Sequence, residues 1–131
     1  MNVSTLNVLG WYVGFVTTKW TPLQPGEPIG VVALSGPLDV GKLEDGLEVL
    51  RGWGHPIVEA SNLRSEETYL AGPDEDRLAG LAEVVASGAR IVIAARGGYG
   101  VARLLDRIDW RDLSERGICV VGFSDLTAIL N

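Results

Sequence analysis

The hydrophobic positions of this chain form four short runs that are almost entirely apolar. They lie at residues 29–34, 56–60, 90–95 and 118–121. A short run that stays apolar, instead of alternating with polar residues, is typical of a strand buried on both faces of a sheet. We therefore predict four strands at these positions.

The segments between these runs show helical spacing instead. Three leucines predict a first helix over residues 42–51, which two glycines end. A second helix is predicted from Asp74, which can cap its N-terminus, to Gly88. A short helix over residues 101–105 and another that begins at Leu126 complete the pattern.

Strands that alternate with helices predict an α/β fold. We expect a doubly wound, flavodoxin- or Rossmann-like parallel sheet with helices on both faces, because parallel neighbours need helical crossovers. Ligands bind such sheets beyond the C-terminal ends of the strands. Three glycine-containing loops follow strands in this pattern, at residues 35–37, 96–100 and 122–125, and we expect them on one rim.

A proline-rich segment divides the chain. Three prolines and a glycine lie within residues 21–28, so the α/β domain is predicted to span residues 27–131 and to follow an N-terminal extension, residues 1–26. Residues 6–16 are mostly apolar, but no Lys or Arg precedes them, which makes them a weak secretory signal. We predict that residues 1–16 are non-native and dispensable.

Composition and charge narrow the classes of partner. The 131 residues carry a net charge of -6 and no cluster of Lys or Arg, which argues against binding to nucleic acid. No run approaches the roughly 20 apolar residues that cross a bilayer, so no membrane partner is expected. The lone cysteine, Cys119, lies in an apolar run and is predicted to be a buried, inert thiol.

Ser124 is the first candidate for chemistry. Residues 122–127 pass from the fourth strand through a tight turn into a helix, with Ser124 at the corner. A nucleophile elbow has this arrangement: the hydroxyl projects from the sheet, and backbone N–H groups can hold an oxyanion beside it. No glycine closes the Gly-x-Ser-x-Gly pattern, however, and the motif by itself favours an N-cap serine. Asp125 is equally accounted for as an acid in the first helical turn.

The glycine turn at residues 96–100 is the second candidate. Adjacent glycines let backbone N–H groups approach an anion closely, as in phosphate-binding loops. The dinucleotide fingerprint fails, because Arg103 occupies the position of its third glycine. A flexible strand-to-helix turn explains the glycines as well as a function does. Their place on the same rim as Ser124 favours a function.

The chain contains a single histidine, His55, which precedes the second strand. It therefore belongs at the end of the sheet opposite the rim loops. Because a serine hydroxyl needs a base within hydrogen-bond reach, these 131 residues cannot complete a Ser-His-acid triad.

Four segments together resemble a known family. In order and spacing, residues 35–37, 69–78, 96–105 and 122–128 are similar to the N-terminal domain of the LD-carboxypeptidases, which include the microcin C immunity peptidases. The resemblance covers residues 27–131. It implies hydrolysis of the amide bond to a C-terminal D-amino acid in murein tetrapeptides, or of peptidyl nucleotides, by a cytoplasmic enzyme that is a homodimer when full length.

The resemblance also implies roles for individual residues. Ser124 would be the nucleophile. The oxyanion hole would use the backbone N–H of Asp125 and one from Gly97 or Gly98. The substrate side would include the residues Tyr99, Arg96 and Ser35. No metal and no cofactor are expected.

The family takes its Glu and His from a C-terminal domain, for which nothing in these residues corresponds. We therefore expect a chain truncated before that domain, inactive alone and prone to association through exposed apolar surface. Two alternatives stay open at this point: a stand-alone nucleotide- or flavin-binding module that uses the glycine turn, and a remnant that keeps the fold without catalysis.

Overall fold

The computed structural model describes the backbone of residues 3–8, 11–16 and 21–129, and the side chains of residues 21–129. A parallel four-stranded sheet with helices forms the α/β body of these residues, and a separate two-stranded antiparallel sheet precedes it in the chain. The strands are β1 (Val3–Val8), β2 (Trp11–Val16), β3 (Ile29–Val32), β4 (Ile57–Glu59), β5 (Ile91–Ala94) and β6 (Cys119–Val121). The helices are α1 (Val40–Arg51), α2 (Asp74–Ala86) and α3 (Trp110–Glu115), with 3₁₀ helices at Val101–Arg107 and Ser124–Ile129.

The order of the strands sets the place of the site. In the sheet the order is β4-β3-β5-β6, and every neighbouring pair is parallel. The chain therefore moves from β3 to one side and then crosses back to the other, so the topological switch point lies between β3 and β5. Ligand sites in open α/β sheets lie outside the carboxyl ends of the strands at such a point. The predicted fold class and parallel sheet are confirmed.

Helices pack on both faces of this sheet. The crossover from β3 to β4 runs toward one edge of the sheet, and the crossover from β4 to β5 runs toward the other edge. Because both crossovers are right-handed, α1 and α2 lie on opposite faces of the sheet. The approach of α2 is close at Gly30 in β3, where a Cβ would lie 1.9 Å from Val84 Cγ1. This contact requires glycine, and it fixes α2 directly on the sheet backbone.

The N-terminus of α2 differs from the prediction. Asp74 was predicted to cap the helix, but Pro73 occupies the cap position and Asp74 is the first helical residue. The Asp74 carboxylate instead accepts hydrogen bonds from the arginines at positions 77 and 103, which compete successfully for it. A further helix that the pattern did not predict, α3, precedes β6, and Asp109 caps it by accepting from Asp112 N at 2.9 Å.

The N-terminal extension contains two strands for which the sequence pattern gave no prediction. β1 pairs with β2 in an antiparallel register that runs from Val3 opposite Val16 to Val8 opposite Trp11. The dispensability of residues 1–16 stays a prediction. In the residues that the structure describes, no helix is long and apolar enough to span a membrane.

Candidate active site

Ser124 lies at a strained corner directly after β6. Its φ angle is 59°, in the left-handed region that residues with a side chain rarely adopt. Such a conformation costs roughly 1–2 kcal/mol and persists only where the surrounding structure imposes it. The residue is exposed, and the Thr127 hydroxyl donates to Ser124 O at 2.6 Å, which closes the turn behind it. This is the backbone geometry of a nucleophile elbow.

Gly97 lies against Ser124. A Cβ at Gly97 would be 2.7 Å from Ser124 Cβ, 3.1 Å from Ser124 Oγ and 3.2 Å from Phe123 O. Only a residue without a side chain allows the turn after β5 to come this close. The glycine is therefore required by the contact between the two loops.

The same turn also touches the loop after β3. Gly36 N donates to Gly97 O at 3.2 Å, and a Cβ at Gly98 would lie 3.2 Å from Gly36 N. Gly98 has a φ of 119°, which favours glycine over other residues. The three rim loops thus meet beside the switch point, as the order of elements predicts.

Ser35 lies buried beneath the rim loops, and its substrate-binding role stays a prediction. Its exposed fraction is 0%, and its Oγ donates to Asp125 Oδ2 at 2.7 Å. The same carboxylate oxygen accepts the backbone N–H of Val101 at 2.9 Å. Ser35 is buried because it satisfies a half-buried carboxylate from another loop, a contact that its local sequence does not reveal.

Tyr99 and Arg96 lie at the exposed part of the rim. Tyr99 is 58% exposed, and its ring centroid is 5.6 Å from that of Tyr69, with the two rings tilted by 57°. The exposed guanidinium of Arg96 donates to Pro37 O. An aromatic pair and a cation are therefore open to a ligand, and their role on the substrate side stays a prediction.

A buried arginine that the sequence analysis assigned no role supports the rim from below. Arg77 has an exposed fraction of 0%, and its Nη1 donates to Leu34 O at 2.6 Å and to Gly100 O at 3.0 Å. Its Nη2 donates to the Asp74 carboxylate. Hydrogen bonds from Arg103 and, to a smaller extent, from Arg77 lower the pKa of the Asp74 carboxyl. Arg77 lies on the apolar face of α2, four residues before Leu81. A charged residue on that face was the one feature of the sequence that could have indicated its role.

Asn62 is a second support that the sequence analysis missed. It is buried, and its Nδ2 donates to Ala33 O at 2.8 Å and to Ala71 O at 2.9 Å. The amide thereby joins the chain after β3 to the loop that leads into α2. No sequence pattern distinguishes this asparagine from an ordinary loop residue.

His55 and Cys119 take no part in the site. The Nδ1 of His55 contacts Glu27 O at 3.1 Å, at the N-terminal ends of β3 and β4, so the prediction that it lies opposite the rim is confirmed. Cys119 is buried, as predicted, and burial raises the pKa of its thiol to about 11. Within residues 21–129 no cluster of His, Cys, Asp or Glu is arranged to hold a metal ion.

Comparison with known proteins decides the family. A model of the LD-carboxypeptidase N-terminal domain matches residues 29–131. This chain belongs to the LD-carboxypeptidase family. The serine corner and the glycine turn both lie inside the matched domain.

Named relatives agree with this assignment. A Streptomyces coelicolor protein named as a carboxypeptidase is 46% identical over 112 residues, covering 82% of this chain and 36% of the relative. A Bacillus subtilis protein named as a murein peptide carboxypeptidase is 33% identical over 106 residues, covering 80% of this chain and 33% of the relative. The chain therefore spans about a third of the length of the curated relatives it matches.

Solved structures share the fold. The microcin C7 self-immunity protein MccF has a TM-score of 0.75 at 26% identity, covering 83% of this chain and 34% of that protein. A muramoyltetrapeptide carboxypeptidase from Oxalobacter formigenes has a TM-score of 0.68 at 30% identity, covering 78% of this chain and 34% of that enzyme.

Proposed function

We propose that this chain supplies the nucleophile and the oxyanion donors of a serine carboxypeptidase, which releases a C-terminal D-amino acid from murein tetrapeptides. The observation that carries the proposal is Ser124: exposed, held at a left-handed φ after a parallel strand, and in contact with Gly97. An exposed hydroxyl in this strained position is what covalent catalysis requires.

The geometry supports an acyl-transfer sequence. Ser124 Oγ attacks the carbonyl carbon of the last peptide bond, and its proton passes to a base. The carbonyl oxygen becomes an oxyanion that the N–H of Asp125 and an N–H of the 97–98 turn would stabilise; one such donor is typically worth about 10²–10³ in kcat. The C–N bond then breaks, the D-amino acid leaves with the base's proton, and water hydrolyses the acyl ester.

The base would come from outside these 131 residues. The only histidine of the chain, His55, lies at the other end of the sheet. By the family resemblance, a Glu and a His from a C-terminal domain would complete the triad. We accordingly propose that the 131 residues alone release no D-amino acid, and that the complete enzyme is cytoplasmic and homodimeric.

Murein is the substrate class that the comparisons favour. The names of the Bacillus subtilis relative and of the Oxalobacter formigenes enzyme refer to murein peptides, and the relative is 33% identical to this chain. A structure of MccF, at 26% identity, contains aspartyl sulfamoyl adenosine, which supports an aminoacyl or peptidyl nucleotide as the second substrate to test. In either case the exposed Tyr99 and the Arg96 cation would contact the substrate.

A chimera tests the proposal. The chain is joined to the remaining two-thirds of the Streptomyces coelicolor relative, and D-alanine release from a murein tetrapeptide is measured. We expect turnover that Ser124→Ala lowers by at least about 10³-fold, in the range seen when a catalytic serine is removed. Ser114→Ala, in α3 and remote from the rim, is the matched control and should leave turnover unchanged. Turnover that survives Ser124→Ala would refute the nucleophile.

A further inference from the structure

We propose that the carboxylate of Asp125 is a positioning group, which aligns the oxyanion donors with Ser124 by joining three loops through one oxygen atom. The inference rests on the proposed function, because it concerns the same site. It assigns the side chain of Asp125 a role separate from that of its backbone N–H.

The hydrogen bonds of Asp125 Oδ2 carry the inference. This atom accepts from Ser35 Oγ at 2.7 Å and from Val101 N at 2.9 Å. Ser35 follows β3 and is completely buried, whereas Val101 follows the glycine turn after β5 and begins a 3₁₀ helix. Asp125 itself follows β6 and is the residue after Ser124. One oxygen therefore connects the C-terminal ends of three neighbouring strands.

The connection bears on the position of the glycine turn. Residues 97–98 contact Ser124 on one side and Gly36 on the other, and they have no side chains to hold them. The turn is fixed at its far end where Val101 N binds Asp125, and at its near end by the hydrogen bond from Gly36 N. Loss of the Asp125 acceptor would loosen the far end, which would keep the hydrogen bond from Arg77 Nη1 to Gly100 O. Misplacement by about 1 Å at a reacting centre can cost about 10²-fold in rate.

Two substitutions separate geometry from charge. Because both hydrogen bonds end on one oxygen, the amide oxygen of Asp125→Asn can accept both of them, whereas Asp125→Ala accepts neither. The two variants lack the same negative charge. Any difference between them therefore reports the hydrogen bonds and not the charge.

The measurement uses the 131-residue chain with Ser124→Cys, whose introduced thiol replaces the hydroxyl. Its rate of reaction with iodoacetamide is followed against pH, which gives the thiol pKa. The native thiol at Cys119 is buried and should not interfere. Amide donors that hold an oxyanion should also stabilise the thiolate, and so lower the pKa of the introduced thiol below its ordinary value of about 8.5.

We expect Asp125→Ala to slow this reaction at pH 7 about tenfold relative to Asp125→Asn, with a higher thiol pKa. Ser35→Ala, which changes no charge, should slow it in the same direction, and should add little when Asp125 is already alanine. Ser87→Ala removes a hydroxyl hydrogen bond at the end of α2 and is the control that leaves the rate unchanged.

The outcomes distinguish the two proposals. Equal rates for the asparagine and alanine variants, with an activated thiol in the parent, would overturn the positioning role alone. A parent thiol with an ordinary pKa would instead count against the oxyanion donors and the proposed function. If Asp125→Ala does not fold, Ser35→Ala decides the positioning role by itself, and an unchanged rate in that variant would overturn it.

Discussion

Replacing Gly97 with alanine tests the contact that brings the glycine turn to the serine. The new Cβ would lie 2.7 Å from Ser124 Cβ, whereas carbon atoms in contact ordinarily lie about 3.5–4.0 Å apart. Gly97 is not among the glycines with a positive φ, so its backbone tolerates alanine. The perturbation is therefore steric, and it requires a shift of about 1 Å between the two loops.

The size of the effect follows from this overlap. Overpacking of this kind typically costs about 1–3 kcal/mol of stability, which urea unfolding would measure. A shift of about 1 Å between the donors and the nucleophile should also lower the reactivity of the thiol in the Ser124→Cys variant at pH 7 by about tenfold, which is the loss expected when a thiol pKa about one unit below its ordinary value returns to that value. Stability and reactivity should both fall.

Gly88→Ala is the matched control. Gly88 has a φ of 90°, and a Cβ there would meet nothing within 4 Å, so alanine costs backbone strain of roughly 1–2 kcal/mol without a clash. We expect similar destabilisation and no change in thiol reactivity. If Gly97→Ala leaves the reactivity at the level of Gly88→Ala, the contact between the two loops has no importance for the nucleophile.

Two substitutions and a change of pH test the buried contacts that stabilise the fold. Gly30→Ala should destabilise the chain by about 1–3 kcal/mol in urea unfolding, because its Cβ would overlap Val84, and adding Val84→Ala should restore part of the loss. Arg77→Ala should cost about 3–5 kcal/mol, because it removes the buried partner of Asp74 and the hydrogen bonds to Leu34 O and Gly100 O, of which Gly100 O keeps the one from Arg103 N; a loss below about 1 kcal/mol would refute this support. Burial raises the pKa of Cys119 to about 11 in the folded chain, so the free energy of unfolding should fall as the pH rises from about 9 to 11, by at most roughly 2–3 kcal/mol. Cys119→Ala should remove that pH dependence.

The sequence predicts the sheet because its strands are buried on both faces. Uninterrupted apolar runs such as residues 29–34 are typical of strands that are covered on both faces of a sheet. Because helices alternate with these strands, neighbouring strands must be parallel. The meeting of the three rim loops follows from the same rule, since carboxyl ends of parallel strands share one edge. The place of Ser124, Gly97 and Gly98 was therefore open to prediction.

The supports of the site were not open to prediction in the same way. Ser35 and Asp125 are separated by 90 residues in the sequence. Nothing in the sequence around either residue indicates that the Ser35 hydroxyl donates a hydrogen bond to the Asp125 carboxylate. Ser35 was consequently assigned to the substrate. Arg77 could have been noticed as a charge on an apolar helical face, but its partners are backbone carbonyls, which the sequence does not distinguish. The strands β1 and β2 were not predicted, because residues 6–16 were interpreted as a weak secretory signal.

The central claim is that backbone amides beside Ser124 stabilise negative charge at this corner, as they would on the carbonyl oxygen of a bound substrate. The most direct measurement is the pKa of the thiol in the otherwise unchanged Ser124→Cys chain, taken from the pH dependence of its alkylation. We predict a pKa at least about one unit below the ordinary value of about 8.5. A pKa at or above that ordinary value would contradict the claim.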